Sequence, residues 1–160
     1  MSTTIAAKEV GWTVDRRVPA VSRVPPYVVP LGRVLFAAIF IVSGLTHFSP
    51  AVIGYAASQG VPLASLLVPI SGLIALAGGL SILLGYHARI GALLLVLFLV
   101  PVTLALHAFW TVTDPMMAQV QMAMFMKNVS MLGGALLIAY FGAGPVSLDA
   151  RRSGRNATIS

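Results

Sequence analysis

The chain has 160 residues, 58% hydrophobic and only 9% charged, with a mean hydropathy of +0.95; a soluble domain carries about 25% charged residues, so the composition excludes one and describes an integral membrane protein. The formal net charge of +6 does not mark a nucleic-acid partner, because the basic residues gather at the two ends of the chain, where they can meet anionic lipid headgroups. The absence of cysteine excludes thiol–disulfide relay, haem thioether attachment, cysteine-ligated iron–sulfur clusters and cysteine-type zinc sites.

Residues 1–28 are polar and basic, with Lys8, Arg16, Arg17 and Arg23, and finish near the stiff Pro25-Pro26 pair. They read as a disordered tail and not as a signal peptide, since the apolar stretch begins too late and lacks a small-residue cleavage site. A first helix is expected over about 30–48, with Arg33 close enough to its start to snorkel and Pro50 closing it. Residues 49–61 form a loop holding a short surface helix around Val52, Ile53, Tyr55 and Ala56. A second helix covers about 62–84, kinked at Pro69, with Ser71, Ala75 and Gly79 four apart as a strip for close helix packing. A third covers about 90–110. The fourth, about 120–141, is apolar except for Lys127, which lies roughly 10 Å beyond the first apolar position of that run. Residues 146–160 form a second basic tail with Arg151, Arg152 and Arg155.

Each span is close to the ~20 apolar residues a bilayer requires, so the fold class is an all-α, integral membrane four-helix bundle occupying residues 29–145. With both termini cytoplasmic, nine of the ten Lys and Arg residues lie on the inner side, Lys127 being the exception, which is the orientation that positive charge dictates. His47-Phe48 and His107-Ala108-Phe109 end the first and third helices. Gly78-Gly79 and Gly133-Gly134 lie within the second and fourth. This echo points to a pseudo-repeat of two helical hairpins about an axis along the membrane normal, with the glycine pairs as helix-packing points.

That topology places His47, His107 and Lys127 at one level near the outer side. Ser43 and Thr103 each stand four residues before a histidine, on the same helix face. Trp110, Asp114, Gln121 and Asn128 are near the same rim. The expected site is an outward-facing polar pocket between the helices, where bundles place ligands. Each member also has a plainer role. Lys127 can snorkel to the outer headgroups, the histidines and His87 can be interfacial, and Trp110 can belong to the aromatic belt. Six of the seven methionines fall in 116–131. They are read as gap-filling side chains in preference to a soft-metal site, and no metal ligand set is assigned.

Several strings recur in order over about residues 30–150. They are Gly32-Arg33, Ser43-Gly44-Leu45, Tyr55 with Gly60-Val61-Pro62, Gly78-Gly79-Leu80 leading to Leu84-Gly85, and Arg89. His107-Ala108-Phe109-Trp110, Lys127-Asn128 with Gly133-Gly134, and the tail from Gly142 to Asp149 follow. Their order and spacing resemble the DoxX family of small bacterial membrane proteins. That resemblance implies a four-helix membrane fold in the bacterial inner membrane. It also implies kinship with the small membrane subunit of thiosulfate:quinone oxidoreductase, and association with redox proteins. Members of that family often carry lysine at the position of His47 and an acidic residue at the position of Ala75, so Lys127 here lacks an intramembrane carboxylate.

Three functions are then in competition. The first is a redox-associated membrane subunit that binds a quinone or small anion, with His47, His107 and Lys127 donating to oxygen and Trp110 or Phe109 stacking on a ring. Electrons would come from a membrane or peripheral partner, because flavin and nucleotide motifs are absent. The second is a non-catalytic scaffold that docks another membrane protein. The third is a small-solute pathway, which four short helices can form only as a homo-oligomer. Bis-histidine haem is disfavoured, since the lysine usual at the His47 position cannot ligate iron when protonated, and no covalent cofactor is expected.

Overall fold

The computed structural model describes residues 25–157; the expected tail over residues 1–24 lies outside them. Helix α1 spans Val28–Thr46, α2 Pro50–Ser58, α3 Ala64–Leu84, α4 Ala88–Leu106, α5 Pro115–Phe141 and α6 Leu148–Ala157, with one 3-10 turn, Phe109–Thr111, after α4. Four of these, α1, α3, α4 and α5, are long and apolar enough to cross a membrane. Successive spans are antiparallel neighbours, α1 on α3, α3 on α4 and α4 on α5. The first and last described residues therefore share one face of the bundle, the terminal face, and the α2 segment and the 3-10 turn occupy the opposite one, the loop face.

The helix boundaries have local causes. Ser49 caps α2 by accepting from the Val52 N–H at 3.3 Å, with Pro50 in the first turn, where a missing N–H costs nothing. Asp114 does the same for α5, its Oδ1 accepting from the Met117 N–H at 2.7 Å ahead of Pro115. This cap starts α5 at Pro115, five residues before the apolar run, and makes it 27 residues long, about 40 Å. Gly85 ends α3 with φ +62°. Its N–H returns to the Ile82 carbonyl and the Tyr86 N–H to the Ser81 carbonyl, the paired bonds of a Schellman closure.

In lipid the helices gain little from burying apolar surface and associate through close packing. The contacts show it. A Cβ on Gly44 would stand 2.9 Å from the Gly72 carbonyl oxygen, and one on Gly72 2.9 Å from that of Gly44, so α1 and α3 cross there backbone to backbone. Gly78 and Gly91 form the same reciprocal contact between α3 and α4, at 2.8 and 3.0 Å. Gly79 faces Phe40 and Ile41 of α1, and Gly134 of α5 receives the Phe36 ring. Gly133, expected to pack, has open space around it and is exposed, because it is turned one residue away from that contact. Between the crossings lies a core of Ala37, Phe40, Ala75, Ile82, Ala92, Leu95, Phe98, Leu99 and Ala135. The α3 strip that meets α1 runs through Gly72, Ala75 and Gly79; Ser71 sits one residue off it and is half-buried.

Part of the expected basic tail is α6, and the terminal face is tied together from distant parts of the chain. Arg33 is 8% exposed and donates from Nη1 to the Ala143 carbonyl at 2.9 Å and from Nη2 to the Val146 carbonyl at 2.7 Å. It therefore faces inward and does not snorkel. Asp149 accepts from the His87 N–H at 2.8 Å and from the Ala88 N–H at 3.1 Å, capping α4. The Asp149 N–H donates to the Gly85 carbonyl at 2.9 Å.

Candidate functional site

A cavity of about 350 Å³ opens among α1, α2, α3 and α4 toward the loop face. Helix α2 packs over α3 through Ala56, Val68 and Ala64 and so forms one wall. Phe98, Pro101 and Val102 of α4 form another. Every lining side chain is apolar except those of His47 and Ser71. The sequence led us to expect a polar pocket; the space is an apolar one with a single imidazole at its edge. The small-residue crossing explains its position. Gly72 leaves room for His47, whose Cβ would lie 2.7 Å from a Cβ at that position.

His47 is buried, and its Nδ1 is 2.6 Å from the Ser43 carbonyl oxygen, one turn back. A carbonyl only accepts, so Nδ1 carries the proton, and in the neutral ring Nε2 is an acceptor. Phe98 meets the ring edge-on, with centroids 5.6 Å apart. The Ser71 hydroxyl is already spent on the Val68 carbonyl at 2.7 Å. His47 Nε2 is thus the polar atom left for a ligand.

The other expected site residues are dispersed. Ser43 contributes its carbonyl to His47 and to the Thr46 hydroxyl. Thr103 is buried, with its hydroxyl on the Leu99 carbonyl at 2.5 Å, so it is satisfied within α4. His107 lies outside the cavity lining; its Nδ1 is 2.8 Å from Gln121 Oε1, and Gln121 Nε2 reaches the Tyr55 hydroxyl at 3.5 Å. This chain of polar groups joins α2, α4 and α5 at the loop face. Trp110 is exposed and stacks edge-on with Phe109 and Phe125, an aromatic cluster beside that network. Asp114 serves as the α5 cap. Asn128 is buried on α5.

Lys127 is exposed on the outer side of α5, its Nζ 3.4 Å from Met124 Sδ, one turn toward the loop face. That is the direction in which a lysine snorkels, and it removes Lys127 from the company of His47. Helix α5 explains this, being the least buried span. Only 11% of its most apolar 18-residue stretch is buried, against 33% in α3. Met116, Met117, Met122, Met124 and Met126 are exposed on it too, so they do not fill gaps in the core. Sequence reasoning missed Gly72, Phe98 and Tyr55. Gly72 was the legible one, since it stands seven residues before Gly79 on the same helix face.

The comparisons with known proteins bear on the family. The model of the SURF4 family matches residues 17–154. Inner membrane protein YphA of Escherichia coli (strain K12) is 30% identical over 128 residues, 79% of this chain and 91% of the relative. Inner membrane protein YqjF of the same organism is 32% identical over 125 residues, 74% of this chain and 87% of the relative. No solved structure matches. These findings overturn the resemblance to the DoxX family. Its strings were short and rich in Gly, Ala and Leu, residues that close helix packing selects in unrelated membrane bundles, whereas the family match runs through almost the whole chain. The protein is a multi-pass membrane protein, and it belongs to the SURF4 family.

Proposed function

We propose that this protein is an inner-membrane subunit that holds a lipid-soluble ring compound of the quinol class in the cavity at His47, with both termini in the cytoplasm. The observation that carries the reading is the pairing of an apolar cavity of about 350 Å³ with one imidazole whose Nδ1 is committed to the Ser43 carbonyl. With Nδ1 given to the Ser43 carbonyl, Nε2 is the ring atom that faces a ligand, and in the neutral tautomer it accepts from a hydroxyl such as that of a quinol. A small anion has no place there, because the walls supply no cation and would strip its hydration. Electrons, in this reading, pass to or from a redox partner. The inner-membrane location is carried over from the names of the two relatives, and the orientation from the basic residues on the terminal face.

The test is purification from native membrane in mild detergent, followed by organic extraction and chromatography. Co-purifying quinone or quinol is expected, and His47→Ala should lower it about tenfold, the equivalent of one good hydrogen bond. Full retention in a folded His47→Ala protein would sink the reading. A scaffold role has one observation in its favour: α5 turns Lys127, Ser130 and Gly133 outward on the least buried span, open to a partner helix. A stoichiometric membrane protein in the same preparation, with no bound ring compound, would favour that second reading.

A further inference from the structure

A second and larger cavity, about 660 Å³, lies at the terminal face between the start of α4, the end of α5 and α6. We propose that it is a binding site for the phosphate of an anionic phospholipid headgroup.

Its cationic wall is built from separate elements. Arg89, in the first turn of α4, lies over Gly142, where a Cβ would come within 3.4 Å of Nε. Gly142 has φ +81°, a backbone conformation that disfavours any side chain there. The Arg89 guanidinium has no hydrogen bond to any described residue and is exposed toward the cavity it lines. Arg152 of α6 is held over the Tyr86 ring, 5.2 Å from its centroid, and its Nη1 donates to His87 Nε2 at 3.1 Å. Arg33 adds a third positive charge from behind, through its bond to the Ala143 carbonyl in the wall. The single carboxylate of the cavity, Asp149, has an oxygen on each of the His87 and Ala88 N–H groups. The lining itself, with Arg89 and Arg152 against Asp149, is one charge positive, and Arg33 reinforces it from behind.

The remaining wall decides between sources of phosphate. Ile90 and Phe141 line the same cavity and are strongly exposed, at the ends of two membrane-spanning helices. They stand where the hydrocarbon begins. A phosphodiester against Arg89 and Arg152 therefore directs acyl chains along Ile90 and Phe141 into the bilayer, whereas a soluble phosphate ester has no use for that apolar rim. Basic pockets between membrane helices recognise lipid headgroups in this manner, and the volume lies within the ordinary range of ligand sites, about 300–1,000 Å³.

The full chain, delipidated in mild detergent, is titrated with dioleoylphosphatidylglycerol or dioleoylphosphatidylcholine, and bound lipid is counted by native mass spectrometry. Preferential retention of one phosphatidylglycerol is expected. Arg89→Gln should weaken it about fivefold, the typical contribution of one basic residue at a lipid surface. Arg151→Gln, the same charge change on an exposed α6 residue outside the cavity, should leave it nearly unaltered. Equal losses in the two variants would mean diffuse attraction and overturn the site. Displacement of phosphatidylglycerol by millimolar inorganic phosphate would reassign the cavity to free phosphate and overturn the lipid. Should Arg89→Gln not yield monodisperse protein, Arg152→Gln makes the same comparison against Arg151→Gln.

Discussion

A guanidinium presents donors on separate nitrogens in a rigid planar fork, whereas an ammonium offers all of its donors from one atom. Arg33 donates from separate nitrogens to Ala143 and Val146, more than a hundred residues away. Arg33→Lys keeps the charge but loses at least one of these bonds, and should cost about 1.5–3 kcal/mol, the usual worth of a hydrogen bond to a charged group. A lower thermal midpoint in detergent, with far-UV circular dichroism unaltered at low temperature, is the expected result. Gly85 packs against the same guanidinium. A Cβ there would run into Arg33 Nη1 and stand 2.6 Å from the Ser147 Cβ, at a left-handed φ of +62°. Gly85→Ala combines about 1–2 kcal/mol of backbone strain with about 1–3 kcal/mol of overpacking, so its midpoint should fall at least as far. Gly72→Ala is the corresponding change at the loop face. It pushes on the His47 Cβ and should impair ring-compound retention as well as stability, separating it from Gly85→Ala, which should affect stability alone.

At the scale of elements, the four spans were legible because a bilayer leaves so few choices: about 20 apolar residues, ended by Pro, Gly or a capping side chain. The expected boundaries agree with α1 and α3 within two residues. They miss at α5, where Asp114 and Pro115 extend the helix five residues toward its start. They miss also at the end of α4, where the chain leaves the α-helix at Leu106 and closes with a 3-10 turn. The site was much less legible. Spacing along one helix places Ser43 beneath His47 correctly, but it cannot say how each helix is rotated about its axis. Rotation is what puts Lys127 outside and Asn128, the next residue, inside. In apolar helices nearly every face is hydrophobic, so the periodicity that would fix rotation in a soluble bundle is missing. The consequence can be measured. Lys127→Met should leave ring-compound retention unaltered and the thermal midpoint equal or higher, since it removes a charge from a lipid-facing position. Lys127→Asp should lower the midpoint, because a short carboxylate cannot snorkel as a lysine does.

For the whole molecule, four spans put the first and last described residues on one face, and the bonds of Arg33 and Asp149 join the two ends there. Which face meets the cytoplasm is a separate matter, set by charge. Of the basic residues with described positions, Arg33, Arg89, Arg151 and Arg152 lie at the terminal face. Single cysteines placed at Ser58 and Asp114 should be labelled by an impermeant maleimide in intact cells, and one at Ser153 only after the membrane is opened. Labelling of Ser153 from outside would invert the orientation and turn the His47 cavity toward the cytoplasm. The basic N-terminal segment offers the same test through Ser22.

The cap on α4 comes from 61 residues downstream, and that distance is also an interval of time. A ribosome adds about 5–20 residues per second, so the His87 and Ala88 N–H groups wait roughly 3–12 s for the Asp149 carboxylate to be made. Arg33 waits longer still for the carbonyls of Ala143 and Val146. During synthesis the four spans can enter the bilayer one after another while the terminal face stays unfastened, and it closes only once Asp149 has been made. A premature stop after Gly142 would deliver every span to the membrane and hold the protein in that unfastened state for its whole lifetime.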